Sequence, residues 1–111
     1  MASRRKEHQE DAKFRVFQII NENPQMTTRE IAQKVRISNG SAYYLLTSLI
    51  DMGFIKLSNF KDSSQKIKYS YLLTPKGIRE KSIITRKYLL RKKQEYELLK
   101  KEITELERDI G

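Results

Sequence analysis

Residues 27–53 read TTREIAQKVRISNGSAYYLLTSLIDMG, and this stretch decides the fold. Thr27 and Glu30 make a T-x-x-E capping box: the hydroxyl accepts from the Glu30 backbone N–H, and the carboxylate reaches back to the Thr27 N–H. Ile31, Ala32 and Val35 follow as a short apolar stripe, which predicts a helix over Thr28–Val35. Arg36-Ile37-Ser38 is a three-residue connection. Ser38 is a favoured N-cap type, and Ile37 and Ala42 sit at the two ends of a hydrophobic staple. A second helix is expected over 39–52, with Gly53 as its C′ residue and Phe54 packing back. Two helices joined by so short a turn are a helix-turn-helix pattern.

Upstream, Phe14, Val16, Phe17, Ile19 and Ile20 cluster at helical spacing, so a first helix is expected over 7–23. Asn23-Pro24 ends it, because a residue before proline avoids the α region. Residues 1–6 read as a flexible basic start. Downstream, Ile55 and Leu57 alternate with Lys56 and Ser58 in FIKLSNF (54–60), a strand pattern. KDSSQK (61–66) is a polar loop. In IKYSYLL (67–73), Ile67, Tyr69, Tyr71 and Leu73 share one face of a second strand. Two strands joined by a polar loop form a β-hairpin, the wing of a winged helix.

Thr74-Pro75 restarts a helix, with threonine as N-cap and proline at the first helical position. No breaker follows Gly77 until Gly111. A helix of roughly 35 residues is ~50 Å long at 1.5 Å per residue, too long for a globule of this size to cover. Leu89, Tyr96, Leu99, Ile103, Leu106 and Ile110 lie on a coiled-coil seam, interrupted by Lys92. The expected fold class is therefore mostly α with a small β-hairpin (α+β). A winged helix-turn-helix domain over 7–74 precedes a long dimerisation helix over 75–111.

Composition narrows the function. The 111 residues carry 23 basic and 14 acidic side chains, a net charge of +9, which favours a polyanionic partner. The surplus is concentrated. Residues 74–93 hold eight basic groups and one acidic, whereas residues 94–111 hold three basic and six acidic. There is no cysteine and one histidine, His8. Thiolate sites, disulfides, multi-histidine metal sites and a Ser-His-Asp triad thus lack material. No enzyme, metal or cofactor is expected. No apolar run approaches the ~18 residues of a membrane span, so a cytoplasmic location is expected, with no membrane partner.

On a helical wheel from Ala42, Leu45, Leu46 and Leu49 form the core face of the 39–52 helix. Gly40, Tyr44 and Thr47 fall opposite, flanked by Ser41 and Tyr43. In a helix-turn-helix that opposite face enters the major groove of double-stranded DNA. Ser38, Asn39 and Ser41 at the helix start are candidates for base edges or phosphate, and Gly40 allows close backbone approach. Thr28, Arg29 and Arg36 around the turn, and Lys61, Lys66 and Lys68 in the wing, are phosphate candidates. This helix has no Arg or Lys, although Arg to guanine is the commonest specific base contact. Backbone-dominated affinity is therefore expected. A protein-interaction adaptor, using the basic helix and coiled-coil tail, is the alternative.

The residues from Thr28 to about Glu105 resemble the MarR-type winged-helix regulators. The likeness rests on REIAQKVRIS, on YYLLTSLIDMGFIKLSNF and on YSYLLTPKGIREK. It is nearest to a short branch associated with bacterial exopolysaccharide gene clusters. The resemblance implies a DNA-binding transcription factor acting as a homodimer. Family wings carry Asp-x-Arg, with the arginine entering the minor groove. Here Asp62 is followed by Ser64 at the arginine position, leaving Lys61 or Lys66 to substitute.

Overall fold

The computed structural model describes the backbone of residues 2–61 and 63–111, and the side chains of that set from Gln9 onward. Six elements follow one another: α1 (Ala2–Glu22), α2 (Thr28–Val35), α3 (Asn39–Asp51), β1 (Ile55–Lys61), β2 (Ile67–Leu73) and α4 (Pro75–Ile110).

Both helix-turn-helix caps form. The Thr27 hydroxyl accepts from Glu30 N at 3.1 Å, and the Thr27 N–H donates to the Glu30 carboxylate at 3.5 Å. Ser38 caps α3 by accepting from Ser41 N at 3.0 Å. At the far end of α3, Gly53 has φ +79. Gly53 N donates to Ile50 O and Phe54 N to Leu49 O, each at 2.9 Å. That bond pair is a Schellman motif, and Phe54 and Leu49 meet in the core as the motif favours.

The core joins Val16, Phe17 and Ile20 of α1, Ile31 and Val35 of α2, Leu46 and Leu49 of α3, then Phe54 and Ile55. The strands pair antiparallel, with Ile55 opposite Leu73 and Lys61 opposite Ile67. Their base is tied to the helices, because Tyr71 N donates to Pro24 O at 2.9 Å. The expected two-residue period of burial does not hold along β2, and of Ile67, Tyr69, Tyr71 and Leu73 only Tyr71 and Leu73 pack against the core. Ile67 and Tyr69 are 58% and 56% exposed, because the distal half of the hairpin extends past the helices. On the opposite face Ser70 is buried.

At α1 and β1 both bounds differ from expectation, and α3 ends at Asp51, one residue early. α1 begins at Ala2 rather than residue 7, since its leading residues include helix formers and no breaker. β1 runs over Ile55–Lys61, because Phe54 is consumed by the helix cap and Lys61 still pairs with Ile67.

The LTPKG stretch locks α4 onto the end of α3. Thr74 Oγ1 donates to Gly53 O at 2.5 Å and caps Gly77 N at 3.0 Å. Lys76 Nζ donates to Met52 O at 2.8 Å. Gly77 lies so close to Phe54 that an added Cβ would stand 1.8 Å from its carbonyl oxygen. Farther along, Phe14 of α1 stacks on Tyr88 of α4 with ring centroids 4.3 Å apart, and Asp11 pairs with Arg91. Beyond that clamp α4 projects as an arm, giving the molecule extents of 67 × 27 × 25 Å.

Candidate nucleic-acid interface

The buried residues of α3 are Ala42, Leu46 and Leu49. Opposite them lies an exposed strip of Asn39, Gly40, Ser41, Tyr43, Tyr44 and Thr47. Tyr43 and Tyr44 are 68% and 76% exposed, so neither ring is needed by the core. Gly40 is informative for the opposite reason to Gly77. A Cβ built there meets nothing within 4 Å, so neither close packing nor a left-handed backbone requires glycine. Glycine in a helix costs about 0.5–1 kcal/mol relative to alanine, and the isolated fold offers no compensation. The Ser38 hydroxyl is partly spent within the chain, accepting from Ser41 N and donating to Ser41 Oγ at 2.9 Å.

Cations frame this strip. Arg29 is exposed on α2. Arg36 is exposed in the turn and holds a left-handed backbone, φ 63 and ψ 47. An L-residue pays of order 1 kcal/mol for that conformation, which glycine would not. Lys61, Lys66 and Lys68 are exposed on the wing. Asp62 lies outside the described residues. Thr28 is half-buried, and its hydroxyl hydrogen-bonds the Tyr71 hydroxyl at 2.9 Å. Thr28 thus sits at the seam between α2 and the wing base. Tyr71 carried no local signal in the sequence, since its partner lies 43 positions away.

The basic block over 74–93 divides into structural and outward-facing cations. Lys76 caps α3 and lies 5.0 Å from the centroid of the Phe54 ring. Arg91 pairs with Asp11, and Lys92 bonds Glu95 at 3.1 Å. That hydrogen bond raises the Lys92 pKa above its ordinary value. Arg79, Arg86 and Lys93 are exposed, seven residues apart, on one face of α4. Among the described residues no group of acids and histidines is placed to hold a metal ion. No helix among them is long and apolar enough to cross a membrane.

The coiled-coil seam is present as a surface without a cover in the single chain. Leu89, Tyr96, Leu99, Ile103, Leu106 and Ile110 are all exposed, Ile110 to 88%.

A capped helix pair, an antiparallel hairpin bonded to the α1–α2 connection and an exposed second helix together fix the architecture. This is a winged helix-turn-helix domain. Residues 9–56 match the family described as winged helix-turn-helix DNA-binding. Among solved structures, the fold is similar to a PadR-like transcriptional regulator from Bacillus cereus, at 19% identity and TM-score 0.69, covering 78% of this chain and 89% of that one. It is also similar to Staphylococcus aureus MarR, solved with salicylate and kanamycin, at 23% identity and TM-score 0.56. That match covers 79% of this chain but 56% of that one. A mutant of S. aureus MepR aligns over 100% of this chain and 94% of its own, at 15% identity and TM-score 0.60. No curated protein sequence matches the chain. The fold of the domain is thus similar to those of solved MarR and PadR regulators.

Proposed function

We propose that this chain is a transcriptional regulator that binds double-stranded DNA as a homodimer. The observation that carries the reading is the α3 surface. Its exposed strip holds a glycine, hydroxyls and two tyrosines that the fold does not need, between cations on α2, the turn and the wing. In this reading α3 enters the major groove through Asn39, Gly40, Ser41, Tyr43, Tyr44 and Thr47. Arg29, Arg36, Lys61, Lys66 and Lys68 take phosphates, and Thr28 and Ser38 contribute at the two helix starts. Two copies joined through Leu89, Tyr96, Leu99, Ile103, Leu106 and Ile110 place two reading helices on half-sites one helical turn apart, ~34 Å, or a multiple of it. A cytoplasmic site of action follows from this role. The resemblance of the wing and the α4 start to the exopolysaccharide-associated branch supports exopolysaccharide genes as targets.

Selection of genomic fragments with the purified chain tests the reading. Recovery of a pseudo-palindromic site upstream of such genes is expected. Fragments without a shared site would refute sequence-specific regulation.

A further inference from the structure

The exposed seam continues toward the domain. Extended N-terminally from Leu89, the same alternation reaches Thr85, Ser82 and Ile78, all exposed, with Ile78 57% exposed. The strip therefore spans α4 from Ile78 to Ile110, with Ser82, Thr85 and Lys92 as its polar positions and an unbroken apolar run from Tyr96 onward. The charge of α4 reverses along the same length: eight basic residues and one acidic over 74–93, three basic and six acidic over 94–111.

We infer that the surface covering this strip is α4 of a second copy, running antiparallel and centred near Gln94. The inference rests on the homodimer reading and gives it a direction and a register. In that register Ile78 meets the partner's Ile110, and Leu89 meets the partner's Leu99. The interrupting Lys92 falls beside the partner's Tyr96, so a cation lies over an aromatic ring rather than against its own copy. At the flanks Arg79 meets the partner's Glu107 and Lys81 meets the partner's Asp109. Arg86 opposite the partner's Lys100 is unfavourable, and at the two-fold axis Lys93 and Glu95 each lie near their own copies, like charge beside like. A parallel pair in register is worse. It sets Lys92 against Lys92 and lays the basic half on the basic half. At 1.5 Å per residue, the antiparallel register holds the two α4 starts about 57 Å apart.

The chain has no cysteine, so engineered thiols report cleanly. In the full chain, Leu89→Cys combined with Leu99→Cys is expected to give a covalent dimer under mild oxidation. Within one helix those positions are about 15 Å apart, too far for a disulfide. Leu99→Cys alone is expected to stay uncrosslinked. A covalent dimer from Leu99→Cys alone would show parallel pairing and overturn the inference. Spin labels on Arg108→Cys guard against a weakened seam. About 42 Å between labels is expected, from 28 residues of rise, and a separation under about 20 Å would overturn the register. A monomer in ultracentrifugation of the unaltered chain would instead reject the homodimer itself.

Discussion

Gly40→Ala separates what the fold needs from what a ligand needs. Gly40 is the second residue of α3, and its missing side chain opens onto empty space. Alanine is therefore accommodated without displacement, and the helix gains its propensity. The full interior difference between the two residues is about 1 kcal/mol. In the first turn, where fewer helical bonds depend on it, roughly half of that is expected. A stabilisation of ~0.5 kcal/mol corresponds to a melting-temperature rise of about 2–4 °C for a domain of this size. In the major groove, the same methyl would hold the start of α3 off the DNA. Removing one hydrogen bond there costs about 1–1.5 kcal/mol, or roughly tenfold in affinity. Thermal melting by circular dichroism and fluorescence polarisation on a selected duplex read the two effects. The expected result is a more stable protein that binds DNA about tenfold more weakly. A higher melting temperature with unchanged affinity would show that the start of α3 does not approach DNA.

Three further outcomes follow from named residues. Gly77→Ala drives a Cβ into the Phe54 carbonyl, backbone against backbone; a loss of about 3 kcal/mol is expected in urea unfolding, at the upper end for overpacking. Arg36→Gly relieves the left-handed backbone at φ 63. Stability should be unchanged or slightly raised, while the log–log salt slope of DNA binding falls by about 1 for each phosphate that the arginine no longer neutralises. Tyr71→Phe removes the hydroxyl bonded to Thr28; a fall of about 1 kcal/mol is expected, seen as a lower urea midpoint with an unchanged m-value.

The fold is legible where its determinants are local. The T-x-x-E box, Ser38, Gly53 and Thr74-Pro75 are each read within a few residues, and each caps the helix its position predicts. What stays hidden depends on residues far apart in the chain. The Phe14–Tyr88 stack and the Asp11–Arg91 pair join α1 to α4 across more than seventy positions. They show that part of the basic block over 74–93 is structural, as does Lys76 on the end of α3. The exposure of Ile67 and Tyr69 is hidden for a related reason. Alternation reveals which residues share a face, but not how far the hairpin outruns the helices behind it. At the candidate interface, the wheel of α3 separates buried from exposed residues correctly. The Thr28–Tyr71 bond and the left-handed Arg36 have no pattern to announce them.

The salt dependence of binding tests the central claim most directly. α3 carries no Arg or Lys, so most of the affinity is expected from phosphate contacts of α2, the turn and the wing of both copies. Such contacts release counterions, and 6–10 of them lose about 10³–10⁵ in affinity between 50 and 200 mM salt. Polarisation titrations on a selected duplex across that range should show a fall of this size, with a shallower slope after Arg29→Ala and Arg36→Ala. Binding indifferent to salt over the same range would contradict the account.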